Sequence, residues 1–359
     1  MKKTAFLKIS CAALVSAIAT LVARADVDIN DNVTLSGYAA ASFKYEKAQT
    51  SSKSTLDLDA AKLGVFLKYA PFSGKISGFT DAGAHKIYLL DAFGTYAINQ
   101  QYSVTAGRFL SYIGYTPFDV PDQAFISSSV PNVMRDPDNG ISDMNFTGAP
   151  AYHDGARVDF KQGNWNAGFA VVDSLYSLPN KPYRGDGSIR DGVAFEAKAR
   201  YITDKWTANL SLGYEATKQG SERDPDTNVP LRNPGAPQIY IADLWGQWTP
   251  TKDTTVGGEV FYRRDQINKD SAYSGLSQNI WFVLVQARQQ VDENYAFGAR
   301  FSFGGERIGN YWRVTILPLS YTVSKNMEMR FEFSYTKYSD RIRTPSNDGF
   351  VGAQAIIKF

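Results

Sequence analysis

In the stretch MEMRFEFSYTK, residues 327–337, apolar and polar side chains alternate without a break. Met327, Met329, Phe331, Phe333 and Tyr335 fall on one parity, and Glu328, Arg330, Glu332, Ser334 and Thr336 on the other. Successive side chains of a β-strand point to opposite faces, so such a strand must separate a greasy environment from a charged one. That requirement constrains the fold more than any other feature, because it recurs along the chain.

VAFEAKARYI, WTANLSLGYE, YAFGARFSF and the terminal FVGAQAIIKF repeat the pattern. It marks sixteen candidate strands, at 33–46, 58–70, 75–83, 86–98, 102–112, 152–161, 165–174, 192–202, 206–217, 239–249, 254–264, 279–289, 295–303, 311–323, 327–338 and 350–359. Most have the roughly 9–11 residues a tilted strand needs to cross a bilayer. After even-numbered strands the connections are tight, as in PFSG, QGN, TDK and PTKD; after odd-numbered ones they are usually longer. Tight turns at one end and long loops at the other are the habit of outer-membrane barrels. Aromatic residues cluster at strand ends on the apolar parity: Tyr69, Tyr201, Trp206, Trp248, Tyr295, Tyr321 and Phe359 at the turn end, and Phe43, Tyr45, Tyr214, Tyr262, Trp281, Phe303 and Tyr335 at the loop end. Amphipathic rings favour the headgroup zone, and two such girdles mark a membrane barrel. Two strands break parity, around Arg108 and around Pro318, and bulges are expected there.

A soluble sandwich explains any one alternating strand, its apolar face being core. It does not explain membrane-length strands, two aromatic belts and alternating connection lengths together. The fold expected is therefore all-β: a transmembrane antiparallel β-barrel of about 16 strands, apolar outside and polar within. Hydrocarbon offers no water to backbone groups, so the last strand must pair with the first. Arginine on the lipid side at mid-membrane costs about 2–4 kcal/mol, so Arg200, Arg300 and Arg330 must point inward. A barrel this wide leaves an aqueous channel.

The N-terminus reads as a secretory signal: Lys2 and Lys3, an apolar core at 9–22, then Ala23-Arg24-Ala25 as a small-x-small cleavage site. Cleavage after Ala25 assigns residues 1–25 to the signal and 26–359 to the barrel. It lowers the basic count from thirty-eight to thirty-four against thirty-six acidic residues, a net −2. That balance makes no case for nucleic-acid binding. The single cysteine, Cys11, lies in the signal, so the mature chain holds no disulfide. No cofactor or metal is expected.

The longest connection, about 113–150, is the natural constriction of such a channel. It carries Asp119, Asp122, Asp136, Asp138 and Asp143 against a lone Arg135. Folded inward it would form an acidic lip facing Lys44, Lys62, Arg300 and Arg330 on the pore wall, and charge at a narrow point sets ion preference. The other possibility is an external flap with solvated wall charges.

The sixteen-strand layout, the long fifth connection and the terminal Phe359 resemble general bacterial porins. TAGRFLSYIGY followed by FTGAPAYHDG is similar to the OmpL-like β-barrel porin family, through Gly107, Arg108, Phe109, Gly114, Tyr115, Thr147 and Gly148. That family usually has an acidic residue after the tyrosine, where this chain has Thr116. The resemblance implies a passive diffusion pore for small hydrophilic solutes and ions, in the outer-membrane lipid of a diderm bacterium. It also implies a homotrimer and recognition of Phe359 by the outer-membrane assembly machinery. A channel selective for sugars or anions, with Tyr38, Phe66 and Trp245 as inward aromatics, is the first alternative. A non-transport barrel, an adhesin or surface hydrolase acting through its loops, is the second. For catalysis only His85 with Asp81 and His153 with Asp154 present themselves, and no G-x-S-x-G element occurs. RDPDTN at 223–228 lacks the glycine and glutamate of an EF-hand loop, and RGD at 184–186 lies in a Gly-rich connection.

Overall fold

The computed structural model describes residues 27–48, 52–80, 87–128, 150–175, 192–217, 238–266, 278–306, 309–339 and 347–359. Among them run seventeen strands: β1 Val27–Asn30, β2 Val33–Ala48, β3 Ser52–Tyr69, β4 Phe72–Thr80, β5 Tyr88–Ala97, β6 Tyr102–Leu110, β7 Tyr152–Gln162, β8 Trp165–Val172, β9 Gly192–Ile202, β10 Trp206–Thr217, β11 Gln238–Thr251, β12 Thr254–Gln266, β13 Gln278–Gln290, β14 Tyr295–Glu306, β15 Gly309–Ser324, β16 Met327–Tyr338 and β17 Asn347–Lys358. Each of β2 to β17 pairs antiparallel with its chain neighbours, and β17 pairs with β2 through Gln354 opposite Ser42, so the sixteen strands close into a barrel. No edge is left among them to be satisfied by lipid.

Exposure along the strands settles which face is which. Leu244, Val285 and Phe301, on the apolar parity, are 55%, 52% and 47% exposed, whereas Arg330, Asp243 and Glu332 on the other are 2% or less. A water-soluble sandwich would show the reverse. The aromatic girdles are built from cross-strand pairs. Trp206 stacks on Trp248, and Tyr295 packs tilted against Tyr321, at the turn end; Tyr214–Tyr240 and Trp312–Tyr335 pair at the loop end.

Four features depart from the sequence reading or refine it. First, β1 is an added strand: it lies beside β2 (Val27 opposite Leu35) just past the point where β17 ends. There Gly37 N donates to Phe359 O at 2.6 Å and Phe359 N to Gly37 O at 2.9 Å. A Cβ on Gly37 would stand 2.8 Å from the Phe359 ring, so the glycine makes room for the terminal aromatic. Second, β2 and β3 extend until only residues 49–51 separate them, so the expected long first loop is short. Third, β15 does bulge, its register with β16 slipping between Ile316 and Leu319 around Pro318. β6 instead keeps register; Gly107, at φ 119°, turns the chain there, and Arg108 is drawn inside to Asp154 at 3.1 Å. Fourth, the inner wall is not uniformly polar. Ile239, Ile241, Phe261, Phe282 and Leu284 form a buried cluster inside the barrel with Phe109, Tyr112 and Ile113.

Candidate functional site

The segment after β6 leaves the wall and crosses the interior. Its first stretch is held by acidic side chains of the inner face. Tyr112 N donates to Glu196 Oε2 at 3.0 Å, Gly114 N to Asp243 Oδ2 at 2.7 Å and Tyr115 N to Glu259 Oε1 at 3.0 Å. These carboxylates sit on β9, β11 and β12, so the segment steps across successive strands as it advances. Its side chains drop into gaps left by glycines. Tyr112 lies where a Cβ on Gly168 of β8 would stand 2.6 Å from its hydroxyl, and Ile113 fills the space of Gly213 on β10. A Cβ on Gly257 of β12 would overlap the Tyr115 hydroxyl. The Tyr115 ring packs 5.3 Å from that of Trp245.

The second stretch is anchored differently. It contains Pro117 and Pro121, which have no N–H to give, so the wall grips carbonyls. Arg330 of β16 donates to Val120 O at 3.2 Å and Pro121 O at 3.1 Å. Arg300 of β14 donates to Ser127 O at 2.9 Å and Ser128 O at 3.0 Å, and Arg313 of β15 to Ser128 O at 2.9 Å. Glu332 of β16 completes the grip, accepting from Ile126 N at 2.6 Å and Ser127 N at 3.1 Å. At the start of the second stretch, a 3-10 turn at Val120–Asp122 comes against β2 and β17. There Asp119 accepts from Lys62 Nζ at 2.9 Å and from Tyr38 OH at 3.2 Å.

The candidate residues therefore divide. Lys62, Arg300 and Arg330 are engaged with the segment itself: they fasten it to the wall and do not face it across open water. Lys44 takes no part, its ammonium pairing with Asp59 on the neighbouring strand. Asp119 is tied down, whereas Asp122 is exposed and has no side-chain partner among the described residues. Burial and the neighbouring Asp119 push the Asp122 carboxyl above the usual aspartate range. Arg135, Asp136, Asp138 and Asp143 lie outside the described residues, as do His85, Cys11, the RDPDTN and RGD stretches and the cleavage site. Of the inward aromatics, Tyr38 and Trp245 touch the segment, and Phe66 is 39% exposed toward the turn end. His153 is fully buried with Nε2 at 3.3 Å from Glu196, while Asp154 pairs with Arg108; the two are not joined as an acid–base pair. Glu196, Asp243, Glu259, Glu332 and Arg313 were not singled out from the sequence. The available signal was mid-strand acidic residues on the polar parity, the same argument that turned the arginines inward.

On the turn side of the segment are two recesses. One, of about 220 Å³, lies among Tyr115, Asp122, Gln123, Gln247, Gln286 and Arg288. The other, of about 350 Å³, lies among Tyr38, Lys62, Lys75, Asp119, Asp122 and Lys358. Asp122 borders both. Among the described residues no group of three or more His, Cys, Asp or Glu is placed to hold a metal ion.

Residues 38–359 match the family described as "Putative beta-barrel porin-2, OmpL-like". Solved barrels of similar form include an anion-selective porin from Comamonas acidovorans (13% identity, 91% of this chain and 99% of that one, TM-score 0.63). The outer membrane channel DcaP of Acinetobacter baumannii is also similar (12%, 91% and 97%, TM-score 0.60). So is OmpT of Vibrio cholerae in its trimer form (10%, 92% and 100%, TM-score 0.60). A comparison with curated proteins finds no match. At these identities the solved structures speak to the fold alone.

Proposed function

We infer that this chain, which belongs to the OmpL-like β-barrel porin family and is an outer-membrane channel, narrows its pore with the segment 113–150. The observation that carries this reading is the span of the segment's anchors. Hydrogen bonds tie residues 112–128 to inner-face side chains on β9, β11 and β12 and, farther round the barrel, on β14, β15, β16, β2 and β3. A segment so held obstructs the bore and is no flap outside it. Solutes pass by diffusion through what remains, meeting Asp122 as an unpaired charge among the segment's described residues. Lys62, Arg300 and Arg330 act by holding the constriction in place.

The chain is exported through a signal cleaved after Ala25, inserted with Phe359 as the signal to the assembly machinery, and assembled as a homotrimer, the form recorded for Vibrio cholerae OmpT. It acts as a channel without enzymatic turnover, a reading to which the burial of His153 adds weight.

The test is planar-bilayer recording on purified, folded protein. Step-like ohmic conductance is expected, and deletion of residues 113–150 should raise the step size and flatten ion preference. An unchanged step size after deletion would refute the constriction; no steps at all from folded barrel would refute the channel.

A further inference from the structure

We propose that the smaller recess beside the constriction is a subsite for a neutral, polyhydroxylated solute of monosaccharide size. The proposal rests on the channel reading and names a solute class that reading leaves open.

The recess is bounded by the segment on one side, through Tyr115, Thr116, Asp122 and Gln123, and on the other by Gln247 of β11, Thr255 of β12, and Gln286 and Arg288 of β13. Two amides converge on one phenol: Gln286 Nε2 donates to Tyr115 OH at 3.3 Å, and Tyr115 OH donates to Gln247 Oε1 at 3.4 Å. Both contacts are long. They orient the amides and leave Gln247 Nε2 and Gln286 Oε1 without a partner among the described residues, one a donor and the other an acceptor. The Thr116 and Thr255 hydroxyls and the Asp122 carboxylate are likewise unpartnered there. Arg288 donates to Ser320 Oγ at 3.0 Å and stands 3.7 Å from Glu328 Oε1 through the same nitrogen, leaving its other donors over. Arg300 also lines the recess, but it is engaged with the carbonyls of residues 127 and 128.

The recess thus presents one unpaired carboxylate, a guanidinium shared with Glu328 but with donors to spare, and amide and hydroxyl groups of both hydrogen-bonding senses. An anion entering here meets Asp122 and a cation meets Arg288 and Arg300, so neither binds without facing its like. A polyol that both donates and accepts at every carbon can satisfy all of these groups together. The volume, about 220 Å³, falls below the roughly 300–1,000 Å³ of drug-sized ligand pockets and suits one small ring.

The experiment uses three probes of equal size and different charge: glucose, gluconate and glucosamine. Each is titrated against the ion current of the purified full-length channel in a planar bilayer. Glucose should reduce the mean current saturably in the millimolar range, more strongly than either charged probe. The double variant Gln247→Leu, Gln286→Leu should raise its half-blocking concentration at least tenfold, about 1.4 kcal/mol. Thr116→Val, on the other side of the recess, repeats the test should the double variant not insert, with a threefold or greater rise expected. Steady channel steps with no saturable glucose effect would overturn the subsite and leave the porin reading standing. Stronger block by gluconate or glucosamine, or unchanged glucose block in the variants, would overturn it equally. Absence of steps from folded protein would remove the channel and the subsite together.

Discussion

The two stretches of the internal segment make opposite demands on the wall, and the wall answers each in kind. Residues 112–115 present free N–H groups, including that of Gly114, and meet three acidic side chains. Residues 120–128 include proline and present carbonyls, which meet three arginines, with Glu332 serving the N–H groups of Ile126 and Ser127. Both obey one rule, that a buried backbone group must find a partner. They differ in resilience. Among the described residues, Asp243 and Glu259 have no basic residue within ion-pairing distance, so the first stretch is held by carboxylates at close quarters and by shape. The second is held by guanidiniums that stay charged at any working pH.

That contrast is open to direct attack. The largest effect is expected from Gly257→Val, which fills the space of the Tyr115 hydroxyl. Overpacking a close-fitting site costs about 1–3 kcal/mol, enough to lift the first stretch from the wall while the arginines keep the second. Single-channel conductance should rise and become noisy; an unaltered, quiet step would show that the glycine gap is not what seats Tyr115. Next, Glu332→Ala removes the acceptor of two N–H groups; water can reach that of part-exposed Ser127, so the cost, about 1–3 kcal/mol, falls on buried Ile126. Glu332→Gln retains an acceptor and should lose about half as much. Current noise at fixed voltage orders the two, and equal noise from both would argue against backbone capping by Glu332.

A smaller effect concerns pH. Because folding raises the Asp122 pKa, the folded protein binds this proton more tightly than the unfolded chain. Lowering pH therefore neutralises Asp122 above the ordinary aspartate range, and protonation there favours the folded state. Cation preference, read as reversal potential in a salt gradient, should decline in that window, and Asp122→Asn should remove that part of the decline. A variant titrating like the parent would exclude Asp122 from the ion path. The smallest effect belongs to Lys44→Gln: Lys44 pairs with Asp59 away from the segment, and partly exposed pairs of this kind contribute about 0–1 kcal/mol. Conductance should hardly change; a large change would put Lys44 at the constriction after all.

Much of this was legible in the chain. β9, β10 and β16 start and end where their alternation does, because a lipid-facing strand tolerates no error of parity. The inward turn of Arg300 and Arg330 followed from the cost of the alternative. What they touch did not, since a charge facing a lumen reads the same whether it is solvated or gripping a carbonyl. The glycine seats were illegible for a related reason. Gly168, Gly213 and Gly257 look like weak points in three separate strands, and become one feature only when the fold brings Tyr112, Ile113 and Tyr115 over them. β1 escaped notice because four residues, VDIN, offer too little alternation to register as a strand.

The seam at Phe359 carries a practical consequence. The last residue is locked to Gly37 in both directions, its ring occupies the place of a missing side chain, and β1 takes up the edge of β2 immediately beyond. Any purification handle or fluorescent reporter fused after Phe359 must exit through this crowded joint, beside the recess at Tyr38 and Lys358. Labels for this molecule belong elsewhere, in the connections at the opposite mouth.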